Sequence, residues 1–188
     1  KSLYTEVEGG NNTIVGYEAA KMQNAGGSDG SATVIGNTAI GYAALHNNVT
    51  GTLNTFIGYN CGYGASGESH GNNTGIGANT LNAITTGGNN TMVGAYSGAV
   101  LTSGANNVGL GYMSGYQITT GGSNVAIGYT ALKVHTTGER NIAIGSGAMD
   151  DTDAGSNSLG STDNIFIGAN AGGGTWADAV SQMNVAIG

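Results

Sequence analysis

Apolar residues in this chain gather in short pentads that recur. The segments NVGLG, NVAIG and NIAIG open on Asn107, Asn124 and Asn141 and close on Gly111, Gly128 and Gly145, so the same pattern returns every 17 residues. With the closing glycine as anchor, the full series is Gly16, Gly41, Gly58, Gly77, Gly94, Gly111, Gly128, Gly145, Gly168 and Gly188. Its intervals are 25, 17, 19, 17, 17, 17, 17, 23 and 20 residues. Every departure from 17 is an insertion, as expected of a solenoid, in which a coil can bulge at a loop but cannot lose a strand without breaking the stack. Residues 1–188 therefore read as one repeat domain of about ten short coils, with repeat-breaking insertions near 21–36, 62–72, 149–163 and 172–180.

A 17-residue period is too short for two packed helices, and its signals are those of strands and turns. Thr, Val or Ile stands three residues before each anchor, and Val, Ile or Leu stands one before it. This period-2 alternation of mostly β-branched residues predicts a short strand. The alternation is read with both of these ranks pointing into the coil, so that Ile40, Ile57, Ile76, Val93, Leu110, Ile127, Ile144 and Ile167 form an inner ladder. The rank between them, two residues before the anchor, is then placed outside. It carries Ile14, Ala39, Phe56, Met92, Ala126, Ala143, Phe166 and Ala186, with Gly75 and Gly109, and contains no polar residue. A contiguous apolar stripe suggests a partner-binding face. Because a repeat presents the same stripe at every level, the simplest partner is another copy of the chain.

After each anchor the third position is small (Ala19, Ala44, Cys61, Thr80, Ser97, Ser114, Ala131, Ala148, Ala171), which is read as a second short strand closing the coil. The turns TTGGNN, TSGANN, TTGGSN and TTGERN place Gly87, Gly104, Gly121 and Gly138 where a tight reversal can use positive φ. Asn heads the pentad in all ten coils, and stacked amides can bond one another or tie down turn backbone.

Composition narrows the class. Gly contributes 37 residues, Pro none, and only 8% of positions are charged. This excludes collagen, and the regular apolar pentads argue against a disordered linker. Two Phe and one Trp cannot fill a large aromatic core, so stability must be repetitive and thin. A net charge of −7 with four cationic side chains makes nucleic acid an improbable partner. The single Cys61 excludes an internal disulfide, and no apolar run is long enough for a membrane span. The chain opens on Lys1 and stops on a repeat glycine, and is read as a segment of a longer protein.

The pentads NTAIG and NVAIG, each followed by Tyr-x-Ala-Leu, together with the TTGxxN turns, resemble two related repeat families. One is the head of trimeric autotransporter adhesins, a parallel β-roll. The closer likeness is to bacteriophage tail-fibre repeat regions that precede endosialidase-type chaperone domains. The resemblance implies an all-β parallel β-solenoid or β-roll, a left-handed coil and a side-by-side homotrimer on a virion tail fibre or cell surface. It also implies a host cell-surface glycan or protein as a partner.

No catalytic constellation stands out, and the chain is not read as an enzyme. His46, His70 and His135 fall on different ranks and are taken as surface histidines. Cys61 sits on the small rank as core filler. Asp151 and Asp153, followed by Gly155, form a fragment of a calcium loop without its terminal Glu, so a solvated acidic loop is the preferred reading and no cofactor is expected. Trp176, in a repeat-breaking loop, is a candidate ligand contact. The expected function is a structural and adhesive fibre module, a rigid trimeric shaft or receptor-binding segment. The alternative is an ice- or lattice-binding solenoid using the rank Thr85, Thr102, Thr119 and Thr136.

Overall fold

A computed structural model describes residues 11–23, 36–67, 69–150, 160–173 and 182–188. Ten three-residue strands follow one another: β1 (Thr13–Val15), β2 (Thr38–Ile40), β3 (Thr55–Ile57), β4 (Thr74–Ile76), β5 (Thr91–Val93), β6 (Val108–Leu110), β7 (Val125–Ile127), β8 (Ile142–Ile144), β9 (Ile165–Ile167) and β10 (Val185–Ile187). They pair in chain order into a single parallel ten-stranded sheet. Each strand sits in step with the next, so that Val125 lies beside Ile142, Ala126 beside Ala143 and Ile127 beside Ile144. The protein is a parallel β-solenoid with one strand per coil, and nine steps of about 4.8 Å make the sheet roughly 43 Å long.

The faces of the sheet are the reverse of the expected ones. Ala39, Phe56, Met92, Ala126 and Ala143 are fully buried, Phe166 is nearly so, and Ile14 and Ala186 pack against the same core at its two ends. This rank, expected to be an interface, lines the inside of the coil. Ile40, Ile57, Val93, Ile127, Ile144 and Ile167, expected as the inner ladder, are only partly covered, and Ile76 and Leu110 are exposed at 38% each. The reason is room. A coil this narrow admits few large side chains, and the β-branched residues of both flanking ranks cannot fit inside it together.

The interior is balanced by volume within most coils. Where the strand sends in a small residue, the position six residues later generally sends in a large one: Ala39 with Leu45, Gly75 with Leu81, Ala126 with Leu132, Ala143 with Met149. The coil of β6 is the exception, with glycine at both positions, Gly109 and Gly115, and its space is taken by Met92 of the preceding coil and by Ile118. Where the strand residue is large the relation inverts, giving Phe56 with Gly62, Met92 with Gly98 and Phe166 with Gly172. A Cβ on Gly62 would lie 2.6 Å from the Phe56 ring, and one on Gly98 3.2 Å from Met92. Neighbouring coils share the adjustment, since Phe56 also occupies the space beside Gly75, and Met92 that beside Gly109. Ile84, Leu101 and Ile118 close the far side.

The second strand is replaced by an arch of turns. Its residues alternate in backbone sign, with positive φ two and four residues after the anchor, as at Ala43 (50°) and Leu45 (54°) or Thr130 (52°) and Leu132 (53°). Inter-coil hydrogen bonds persist through the arch and point alternately to the coil on either side, as Ala43 N–H to Tyr17 O and Leu45 N–H to Cys61 O. The small rank remains inside, with Ala19, Ala44, Cys61, Thr80, Ser97, Ser114, Ala131 and Ala148 buried.

The turn glycines serve space instead of positive φ. A Cβ at Gly87 would lie 2.5 Å from the Gly104 carbonyl oxygen, and Gly104 and Gly121 face the same obstruction one coil on. The left-handed residue of the turn comes two positions later, at Asn89, Asn106, Ser123 and Arg140. Anchor glycines need both freedoms: Gly111 has φ 139°, and a Cβ there would collide with the backbone of Gly128.

Asparagine joins the coils from end to end. Asn107 Nδ2 donates to Asn90 Oδ1 at 3.1 Å and to the Gly121 carbonyl at 2.9 Å. Its own Oδ1 accepts from the backbone N–H and the side-chain amide of Asn124. The pattern continues between Asn54 and Asn184, and each interior amide is thereby saturated while buried.

Candidate functional site

Reversal of the faces puts the β-branched ranks on the outside, and these form the most extended surface feature of the described residues. Thr13, Thr38, Thr55, Thr74 and Thr91 begin one outward rank, and Val108, Val125, Ile142, Ile165 and Val185 continue it. Val15, Ile40, Ile57, Ile76, Val93, Leu110, Ile127, Ile144, Ile167 and Ile187 form the other. No charged residue stands in either rank over ten rungs, and the last five rungs are aliphatic in both. A strip about 43 Å long and about 7 Å between ranks approaches the patch size that soluble monomers seldom leave bare, before its border is counted.

That border is aromatic. Tyr17, Tyr42 and Tyr59, each one residue past its anchor, stack with centroids 5.6 and 5.2 Å apart, and Tyr112 stacks on Tyr129 at 5.5 Å. All five are exposed. Ala78 and Ala95 interrupt this rank, Ser146 and Ala169 follow it past Tyr129, and Tyr96, one position further along, meets Tyr112 edge-on.

The histidines are buried, contrary to the surface placement expected of them. His135 Nε2–H donates to the Ser161 carbonyl at 2.7 Å, and burial pushes its pKa down to about 4. His70 stands edge-on to the Phe56 ring, with neither ring nitrogen hydrogen-bonded among the described residues, and burial lowers its pKa to about 4 as well. His46 stacks on Tyr63 and lies 3.4 Å from Glu18. The three do not converge, so no shared proton-transfer site arises from them. Burial raises the Cys61 thiol to about 12, which leaves it an inert filler.

Charged pairs lie at the surface. Arg140 binds Asp163 through two nitrogens at 2.6 and 2.9 Å, raising its own pKa and lowering that of Asp163. Glu18 is held low chiefly by its hydrogen bond from Lys21. Among the described residues no three His, Cys, Asp or Glu side chains are grouped to hold a metal ion. Asp151, Asp153 and Trp176 lie outside the described residues. In the threonine rank, the hydroxyls of Thr85, Thr102 and Thr119 donate to backbone carbonyls of the next coil at 3.0–3.1 Å, so their protons are already committed.

The class that fold and surface define is a parallel β-solenoid with an uncharged outward sheet. Compared with protein-family models, curated proteins and solved structures, the chain matches none.

Proposed function

We propose that the chain is a structural module of an assembled extracellular fibre, a stiff shaft or receptor-binding segment of a viral tail fibre or surface adhesin, in which three copies pack side by side. The observation that carries this reading is the outward sheet face, aliphatic or Thr-lined along its whole length and free of charge. A surface without charge offers nothing for an ionic partner to read, and its regularity matches a second copy carrying the same strip at the same spacing. The strip alone falls short of the roughly 800 Å² per partner typical of stable interfaces. The exposed tyrosine rank at its border extends it, and a threefold arrangement gives each chain two neighbours. The resemblance of the NTAIG and NVAIG pentads to tail-fibre and adhesin repeats points the same way. The ice-binding alternative is less favoured because its threonine hydroxyls are spent on carbonyls.

Mass measured by light scattering tests the reading. The wild-type chain is expected at three times its 18.5 kDa, and Ile127→Asp with Ile144→Asp is expected to yield folded monomers. Thr120→Asp, on an exposed turn, should leave the mass unchanged. A wild-type chain that stays monomeric at tens of micromolar refutes the assembly.

A further inference from the structure

A cleft of about 410 Å³ opens on the arch side of the coils containing β4, β5 and β6. Its origin is a local change in residue size. Five residues past the anchor, successive coils carry His46, Tyr63, Asn82, Ala99 and Tyr116, so a row of rings is interrupted for two rungs. Asn82 and Ala99 form the dip, Tyr116 closes one end, and Tyr96 and Asn79 stand beside it.

The lining is neutral and mixed. Val100 and Ala99 supply an apolar floor, the two tyrosines offer ring surface and hydroxyls, and the two asparagines offer amides. Asn82 Nδ2 donates to the Asn60 carbonyl at 3.2 Å, which fixes the amide in place. The Asn79 amide and the hydroxyls of Tyr96 and Tyr116 are not engaged with other described residues. A ligand suited to this wall has no net charge, presents several hydroxyls, and has an apolar ring face to lie against a phenol. Those properties together describe a pyranose sugar. We infer that the Tyr96–Tyr116 cleft binds a neutral oligosaccharide, with Asn79 and Asn82 bonding its hydroxyls and Tyr116 stacking on one ring.

The site is built by a single chain and does not depend on the fibre reading. The full chain is applied to an array of neutral, sialylated and sulfated oligosaccharides, and the strongest neutral binder is titrated by calorimetry. Asn82→Tyr restores a ring at a rank that accepts Tyr63 and Tyr116, so the coil keeps its shape while the cleft is filled. The expected result is binding of neutral glycans, weakened at least tenfold by Asn82→Tyr and about tenfold by Tyr116→Ala, with the mass of the assembly unchanged. Binding of acidic glycans only, no glycan binding, or binding untouched by Asn82→Tyr overturns the inference.

Discussion

The pairing of Phe56 with Gly62 makes a sharp test of how the narrow interior is filled. Phe56→Ala removes a fully buried ring that touches the space of Gly62 and Gly75 and meets His70 edge-on. Truncations of this kind cost about 3–5 kcal/mol. Gly62→Leu alone overfills the coil, because its Cβ would sit 2.6 Å from the Phe56 ring, and overpacking costs about 1–3 kcal/mol. The two changes together recreate the Ala39–Leu45 arrangement one coil away, where Leu45 accepts φ 54° against 60° at Gly62. The double variant should therefore regain at least half of the Phe56→Ala loss, the space beside Gly75 remaining underfilled. Guanidinium unfolding of the four proteins at one protomer concentration gives the coupling energy, expected to exceed about 2 kcal/mol. Additive effects would refute the idea that Phe56 and Gly62 balance each other's volume within this coil.

Three further outcomes follow from the backbone and the buried polar groups. Asn107→Ala leaves the Gly121 carbonyl and two donors of Asn124 without partners, at about 1–3 kcal/mol each, and a loss under about 1 kcal/mol by denaturant titration would contradict a stabilising amide ladder. Gly111→Ala meets both positive φ and the Gly128 backbone and should cost about 3 kcal/mol or more, whereas Gly88→Ala, at a place where other coils carry Ala105 and Glu139, should be nearly silent by thermal melting. His70 and His135 have folded pKa values near 4 against 6.5 unfolded, so the unfolded chain binds more protons between these limits. Stability is then full above about pH 6.5 and falls by about 3 kcal/mol per histidine on the way to pH 4; a flat melting profile across that window would disprove their burial. The carboxylates with lowered pKa, Asp163 and Glu18, act at more acidic pH, losing their contribution only as pH falls through those lowered values.

The number of coils, the strand positions and the asparagine rows were legible in the sequence because each rests on a period. Which face turned inward was not. Alternation marks two faces, and assigning the bulkier one to the core is a rule for wide sandwiches that fails where the interior holds only one or two large side chains per coil, as Leu81 with Ile84 or Met92 with Leu101. A usable signal was present. Phe56 is followed one coil later by Gly75 and six residues later by Gly62, and Met92 by Gly109 and Gly98; such compensation belongs to an enclosed space. The burial of the histidines is hidden in the sequence for a related reason: His135 occupies the rank of Ile84, Leu101 and Ile118, and His70 stands where other coils carry a turn glycine. The cleft beside Tyr116 is not legible in the sequence because it is defined by what two rungs lack.

Gly41 follows Gly16 by 25 positions, and Gly94 follows Gly77 by only 17, yet each interval advances the sheet by one paired strand. Contour and reach are thus decoupled: extra residues between two strands leave the advance of the sheet unchanged. The molecule measures distance in whole strand spacings of about 4.8 Å, and any decoration carried by one coil keeps its height above the others. A lengthened loop would alter what is displayed at a given level, and only the gain or loss of an entire coil would alter where it is displayed.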